Sequence, residues 1–226
     1  MSLQFQSNGF EVTVPLLSAE ECQTAIAHLT TISSSGKRNL LLTHWCISLA
    51  RMLASHPVLE PLLPTAAVAI QCTLFEKSPE RNWLVSLHQD LSIPVASRIN
   101  HSAVRGWSEK EGVLYVQAPA AVLADMVAVR LQLDESGPND GALRVVPGSH
   151  LYGRLDDAEV KRLRDNMGEI VCPVPKGAAL VIRPLLLHGS SKLTQLHMRR
   201  VLHFLFAPPV LPFGLRWAHA VNAQRF

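Results

Sequence analysis

The chain has 226 residues, of which 48% are hydrophobic, 17% charged and 6% aromatic, and its formal net charge is +3 at pH 7. This hydrophobic content excludes an intrinsically disordered chain, because it supplies ample apolar surface for a buried core. The low aromatic content and the scattered lysines and arginines argue against nucleic acid as the main partner.

The cysteines and the N-terminus bear on the compartment of the protein. Cys22, Cys46, Cys72 and Cys172 show no C-x-x-C spacing, and the first ten residues lack the basic start and apolar stretch of a signal peptide. No apolar run reaches the roughly 18 residues that a membrane-spanning helix needs. We therefore expect a cytoplasmic protein with no membrane partner, and the sequence carries no signal for an oligomeric state.

The first 65 residues show helical periodicity. Residues 18–21, Ser-Ala-Glu-Glu, form a capping box that opens a predicted helix to about Ile32. Residues 33–36 are a predicted break. A second stretch with helical spacing of apolar residues runs from about His44 to Leu62.

From Ala66 the pattern changes to short apolar runs separated by Gly, Pro and Asp or Asn, which is typical of a β-sandwich or jelly roll. One helix is predicted among the strands, from Asp156 to Met167, with Asp156 or Asp157 as its N-cap. The strands are predicted near 66–76, 82–89, 125–133, 142–147, 169–174, 178–187 and 199–207.

Residues 91–119 show no regular pattern and are predicted to form a long loop. A loop of this length inside a compact domain is usually a lid or a binding loop. It begins directly after a His-Gln-Asp motif, so we expect substrate contacts from it. Its candidate substrate residues are Arg98, His101, Arg105 and Trp107.

His88, Asp90 and His188 form the most informative pattern of the sequence. Residues i and i+2 of a strand point to the same face, so the strand that ends in H-Q-D can direct His88 and Asp90 inward. His188 follows another apolar run, and a sandwich can bring the two strand ends together. Two imidazoles and a carboxylate form the facial triad of non-haem Fe(II) oxygenases, although zinc, manganese or nickel can occupy the same ligands. Because H-x-D also occurs by chance, polar core residues without a metal are the alternative.

Arg199 opens an apolar strand eleven residues after His188. Arginine pairs bidentately with carboxylates, so an arginine near the metal can bind the far carboxylate of 2-oxoglutarate. Arg199 and Arg200 point to opposite faces of this strand. We predict that Arg199 faces the cavity, and Arg200 is the alternative.

Two positions of another strand add candidate substrate residues. Arg130 and Gln132 alternate there with apolar side chains, so both can point into a cavity. Together with the arginines of residues 91–119, Arg130 favours a small-molecule substrate that carries an acidic group.

Four ordered motifs resemble those of the phytanoyl-CoA dioxygenase-like family of Fe(II)/2-oxoglutarate-dependent oxygenases. The resemblance extends from S-N-G-F-E-V and S-A-E-E-C near the N-terminus to about Pro208. It implies a mainly β fold with flanking helices, a double-stranded β-helix (jelly roll, cupin-like). We expect a single domain over 1–226, in which helical residues 1–65 pack on a jelly roll of residues 66–208. The motifs are H-Q-D at 88–90, D-G-A-L-R-V-V-P-G-S-H at 140–150, L-H-G-S-S at 187–191 and Arg199.

The resemblance also implies an oxidoreductase, a dioxygenase that binds Fe(II) through His88, Asp90 and His188. Its co-substrates would be O2 and 2-oxoglutarate, the latter held by Arg199. Gln71 matches a position that some members use near the co-substrate, or it is an ordinary strand residue. Because Asp90 keeps the carboxylate ligand, the resemblance favours hydroxylation of a small molecule, with release of succinate and CO2, over halogenation.

Three other functions compete with this interpretation. A jelly-roll protein could bind metal and 2-oxoglutarate without oxygenase activity and act as a sensor or binding module. A plain interaction domain could carry the histidines as coincidental core residues. Nucleic-acid demethylation is disfavoured by the low aromatic content and the absence of a basic stripe.

Overall fold

The computed structural model describes residues 3–29, 37–138, 140–194 and 198–222. The α-helices are α1 (Leu3–Asn8), α2 (Ala19–Leu29), α3 (His44–Ala54), α4 (Ala120–Ala124) and α5 (Asp157–Met167). The strands are β1 (Phe10–Val12), β2 (Val68–Lys77), β3 (Val85–His88), β4 (Ser92–Val95), β5 (Arg105–Lys110), β6 (Val113–Gln117), β7 (Val127–Gln132), β8 (Leu143–Val145), β9 (Ile170–Cys172), β10 (Ala179–Ile182), β11 (His188–Ser190), β12 (Arg199–Ala207) and β13 (Val221–Asn222). Within these ranges no helix is long and apolar enough to cross a membrane.

The strands form three antiparallel sheets. The main sheet has six strands in the order β1-β10-β7-β12-β2-β13. The second sheet has the order β3-β11-β8-β9, and the third has the order β4-β6-β5. This arrangement confirms the predicted mainly β jelly-roll fold with flanking helices.

The main sheet is covered on both faces, and this determines where a site can lie. On β12, Leu202, Phe204 and Phe206 pack in a core with residues of α2 and α3. Leu205 and Ala207, on the other face, pack with residues of the two smaller sheets. Successive strand residues alternate between these two environments. Side chains that share the face of Leu205 therefore point toward the space between the sheets.

Helix α2 begins at the predicted capping box. The backbone N–H of Glu21 donates to Ser18 Oγ (3.2 Å), and the backbone N–H of Ser18 donates to Glu21 Oε2 (2.7 Å). The described part of this helix ends at Leu29. The predicted continuation to Ile32 and the predicted break at 33–36 lie outside the described residues.

The second predicted helix is shorter than expected. Helix α3 ends at Ala54, and the remainder of the predicted span to Leu62 forms turns. Pro57 supplies the physical reason, because proline disfavours the helical conformation of the residue before it and removes a backbone donor. The first 65 residues also include β1, which pairs with β10 at one edge of the main sheet. A strand of three residues is too short for periodicity to reveal.

The helix predicted from Asp156 to Met167 is confirmed as α5. Asp156 is its N-cap, and a capping box joins it to Glu159. The backbone N–H of Glu159 donates to Asp156 Oδ1 (2.8 Å), and the backbone N–H of Asp156 donates to Glu159 Oε2 (3.0 Å). The strand predicted at 178–187 is wrong in its second half, because β10 ends at Ile182 and Pro184 cannot donate to a sheet ladder.

The long loop predicted at 91–119 is wrong, because this segment forms the third sheet. Strands β5 and β6 are a hairpin, and its connecting residues Glu111 and Gly112 have φ of +51° and +75°. Positive φ at both central residues is the geometry of a type I′ turn, which matches the twist of a hairpin. Glu-Gly is not among the strong turn signals, so the turn residues do not reveal the hairpin in the sequence.

Candidate metal centre

The pairing of β3 with β11 brings the predicted ligands together. His88 ends β3, His188 opens β11, and the two residues lie opposite each other in the antiparallel register. Their ring centroids are 4.3 Å apart. Asp90 follows β3, and its backbone N–H donates to the carbonyl of Pro184 (2.9 Å). One ligand atom from each of His88, Asp90 and His188 lies within 4.8 Å of the others, so this triad could hold a metal ion.

The hydrogen bonds of the two histidines fix which nitrogen faces the centre. Nδ1 of His88 lies 2.9 Å from the carbonyl oxygen of Ser86, and Nδ1 of His188 lies 2.9 Å from that of Leu186. A carbonyl oxygen only accepts, so Nδ1 carries a proton in both rings, and in a neutral imidazole of this tautomer Nε2 keeps its lone pair. Both Nε2 atoms face Asp90, at 3.8 Å from Oδ1 for His88 and 3.7 Å from Oδ2 for His188. This donor set fits a divalent metal ion.

The charge states of His188 and Asp90 also suit a metal. Burial lowers the pKa of His188 to about 4, so its imidazole is neutral near pH 7. Burial acts to raise the pKa of Asp90, but the imidazoles of His188, His203 and His88 together with Arg130 bring that pKa below its ordinary value. A neutral imidazole and an ionised carboxylate are the forms that bind metal.

The triad opens into a cavity of about 400 Å³ between the main sheet and the smaller sheets. Among the described residues that line it, the only carboxylate is that of Asp90. Third-sheet residues form part of its wall, in the segment that the sequence presents as a loop. Five basic residues line the cavity: Arg38, Lys77, Lys110, Arg130 and Arg199.

Arg199 and Arg200 occupy different environments, as the alternation predicts. Arg199 lines the cavity and is only 2% exposed. Its Nη1 donates to the carbonyl of Gly141 (2.6 Å), whereas its buried Nε has no hydrogen-bond partner within the described part of the chain. Arg200 makes a bidentate pair with Asp134 through Nε (2.8 Å) and Nη2 (2.7 Å), and it does not line the cavity. Arg199 is thus the arginine with a free donor at the cavity.

Lys77 is a cavity residue that the sequence reasoning missed. It lies opposite Arg199 in the pairing of β2 with β12 and is 2% exposed. Its Nζ donates to Ser190 Oγ (2.8 Å) and to the carbonyl of Ser191 (2.6 Å). Burial, followed by the charges of Arg199 and other arginines, lowers the pKa of Lys77 to about 8. In the sequence, a lysine at the end of a mainly apolar strand is the pattern that could have identified this residue.

His203 is the second missed residue. It lies two positions beyond Val201 on the face of Arg199, so strand alternation could have identified it. Its Nε2 is 3.9 Å from Asp90 Oδ2, and its Nδ1 is 3.0 Å from Arg130 Nη1.

The remaining predicted residues are divided between the cavity and other places. Gln71 and Arg130 line the cavity, and Gln71 Nε2 donates to Thr73 Oγ1 (2.9 Å). Gln132 is buried on β7 but is not part of the cavity lining. The structure does not bring Arg98 and Trp107 to the cavity; the Arg98 guanidinium instead lies 5.7 Å from the Trp107 ring centre.

The other two candidates on the third sheet and its connections also lie elsewhere. His101 is exposed, and its ring contacts the ring of Phe213 with a centroid distance of 4.6 Å. Arg105 is exposed and does not line the cavity. No substrate contact follows from either position.

The sequence of this chain matches a known protein family. Residues 5–201 match the sequence profile of the family described as phytanoyl-CoA dioxygenase (PhyH). A comparison with curated protein sequences found no match.

Solved structures share the fold at low sequence identity. AviO1 from Streptomyces viridochromogenes Tue57 is similar with a TM-score of 0.57 and 22% identity, over 92% of this chain and 94% of AviO1. HygX from Streptomyces hygroscopicus, solved with nickel and 2-oxoglutarate bound, gives a TM-score of 0.61 and 18% identity, over 90% of this chain and 84% of HygX. EctD from S. alaskensis in its apoform gives a TM-score of 0.66 and 16% identity, over 92% of this chain and 77% of EctD.

The profile match covers most of the chain and includes all three residues of the triad. The chain therefore belongs to the phytanoyl-CoA dioxygenase (PhyH) family, whose members are Fe(II)- and 2-oxoglutarate-dependent oxidoreductases.

Proposed function

We propose that this protein is an Fe(II)- and 2-oxoglutarate-dependent dioxygenase that hydroxylates a small acidic molecule and releases succinate and CO2. The observation that carries the proposal is the convergence of His88, Asp90 and His188 at the wall of a cavity that also contains a buried arginine with an unused donor. When bound, ferrous iron and 2-oxoglutarate activate O2 for the oxidation of a C–H bond. The residues of the chain supply ligands, orientation and shelter from water.

Arg199 and Lys77 would hold the distal carboxylate of 2-oxoglutarate. Both are buried cations that face the cavity from paired positions of neighbouring strands. A buried charge is costly unless it is paired, and the only carboxylate among the described cavity-lining residues, that of Asp90, is a proposed metal ligand, while Asp140, outside the lining, acts on Arg199. An incoming carboxylate removes this cost. Hydrogen bonds to charged groups in such a place are strong.

Gln71 fits the substrate side of the cavity better than the co-substrate side. It precedes Lys77 by six residues on β2, which corresponds to about 20 Å along a strand. That separation is too large for Gln71 to share the distal carboxylate with Lys77. We therefore propose Gln71 as a substrate contact, and its predicted contact with 2-oxoglutarate stays a prediction.

The charge of the cavity supports an acidic substrate. Lys77 and Arg199 suffice for one carboxylate, and further cations line the same cavity. Lys110 lines the cavity with its ammonium 5.2 Å from the ring centre of Tyr115. Arg38 lies at the same wall and is linked to Glu111 at 3.6 Å. A carboxylate or phosphate on the substrate would find a positive wall there.

Replacing Arg199 tests the co-substrate site. Arg199→Met should weaken 2-oxoglutarate binding about 30-fold, which corresponds to about 2 kcal/mol for a buried charge-assisted contact. The measurement is anaerobic titration of the Fe(II)-loaded protein with 2-oxoglutarate, followed by the charge-transfer absorption of the chelate. Arg200→Met is the matched control, because Arg200 binds Asp134 outside the cavity. Equal losses in both variants would contradict the assignment.

The lowered pKa of Lys77 predicts that the affinity for 2-oxoglutarate depends on pH. Its pKa is lowered to about 8, and only the protonated ammonium attracts a carboxylate. Affinity for 2-oxoglutarate should therefore be constant below about pH 7 and fall as the pH rises through about 8 and beyond. In Lys77→Arg the guanidinium stays charged, so this fall should disappear. The same titration at several pH values is the test, and an unchanged fall in the arginine variant argues against a role for Lys77.

A paired screen tests both the reaction and the acidic substrate. Carboxylic acids are supplied with Fe(II), 2-oxoglutarate and O2, each beside its own primary amide, and succinate formation is measured. We expect the effective compounds to be acids, with their amides at least about tenfold less effective, because the amide removes the charge that the cavity attracts. Lys110→Met should reduce this preference. Amides as effective as acids would refute the acidic substrate, and 2-oxoglutarate binding without succinate in any condition would favour a binding protein without oxygenase activity.

A further inference from the structure

Arg130 and His203 form a buried pair directly behind Asp90. Arg130 lies on β7 and His203 on β12, and the two are opposite each other in the antiparallel register. Both are less than 10% exposed. Arg130 Nη1 is 3.0 Å from His203 Nδ1, and His203 Nε2 is 3.9 Å from Asp90 Oδ2.

The contact with Arg130 determines the tautomer of His203. A guanidinium has only donors, so Nδ1 of His203 must accept and cannot carry a proton. The imidazole is therefore neutral, with its one proton on Nε2, the nitrogen that faces Asp90.

Asp90 is thus surrounded by histidines of two kinds. His88 and His188 are protonated on Nδ1 and turn a bare Nε2 toward the centre. His203 has the opposite tautomer and turns an N–H toward the same carboxylate. An N–H cannot bind a metal, and the ligand atoms that lie within 4.8 Å of one another come from His88, Asp90 and His188, without His203.

Phe75 restrains both members of the pair. Its ring meets the ring of His203 edge-on, with centroids 5.7 Å apart, and the Arg130 guanidinium lies 5.2 Å from the same ring centre. Aromatic edges and cations are both attracted to a ring face. The His203 ring is therefore held between Arg130, Phe75 and the side of Asp90, which limits its rotation.

We infer that His203 is a positioning residue for the metal-binding carboxylate. Its Nε2 lies 3.9 Å from Asp90 Oδ2, which is longer than a hydrogen bond, so the bond would form when the carboxylate turns one oxygen toward the metal and the other toward His203; Arg130 enforces the required tautomer. This inference rests on the proposed function, because it assigns a role relative to the metal of that same site. Partners of this kind change metal affinity by about 10- to 100-fold when they are removed.

Substitutions at position 203 separate a donor to Asp90 from mere packing. His203→Gln places an amide N–H near the position of Nε2, whereas the shorter His203→Asn cannot reach Asp90. We expect Fe(II) affinity within about 3-fold of the parent for His203→Gln and weaker by about 10- to 100-fold for His203→Asn. The dissociation constant is measured anaerobically by competition with a chromophoric chelator, on variants whose metal-free thermal midpoints are recorded in parallel.

Arg130→Met is a second test, because it removes the residue that fixes the tautomer of His203. It leaves His203 free to adopt either tautomer, so Fe(II) affinity should fall, and combining it with His203→Asn should add little further loss, because both act through one contact. Equal affinities for parent, His203→Asn and His203→Gln would overturn the inference, as would equal losses in the two substitutions.

His188→Ala distinguishes failure of the inference from failure of the proposed function. If Fe(II) binding is abolished in His188→Ala but is unaffected by the His203 substitutions, the metal site stands and the role of His203 is refuted. If His188→Ala binds Fe(II) like the parent, the proposed function itself is refuted and the inference falls with it.

Discussion

The antiparallel pairing of β3 with β11 is the constraint on which the site depends. It sets His88 opposite His188, and the two-residue period of a strand then carries Asp90 back to the same side. Backbone carbonyls beside each histidine fix the ring nitrogen that faces the centre. A shift of one residue in this register would separate the imidazoles and turn one of them to the opposite face. The pairing of β3 with β11, together with the two residues that follow β3, therefore assembles the centre.

An excess of buried positive charge is the second constraint on the cavity. Lys77, Arg130 and Arg199 are nearly excluded from solvent, yet Asp90 is the only carboxylate among the described lining residues. Their lowered pKa values reflect burial first and mutual repulsion second for Lys77 and Arg199. Such an arrangement is unfavourable in the free protein and becomes favourable when anions enter. The proposed dicarboxylate co-substrate and acidic substrate would satisfy this requirement.

The sequence predicts most of what strand periodicity and capping chemistry control. The jelly roll, the capping box at Ser18, an N-cap at Asp156 or Asp157, and the opposite faces of Arg199 and Arg200 all follow from such local rules. The third sheet does not, because its Glu-Gly hairpin carries no strong turn signal. Strand periodicity could place Lys77 at a strand end and His203 on the face of Arg199, but their proximity to Arg199 and Asp90 comes from pairings between strands, which a single sequence does not show.

The most direct test of the account is the stoichiometry of anaerobic Fe(II) binding by the parent and by a variant in which His88, Asp90 and His188 are all alanine. The account predicts one tightly bound Fe(II) per parent chain, which acquires the charge-transfer absorption of a keto-acid chelate when 2-oxoglutarate is added, and neither signal in the triple variant. Iron binding of equal stoichiometry and affinity in the two proteins would contradict it.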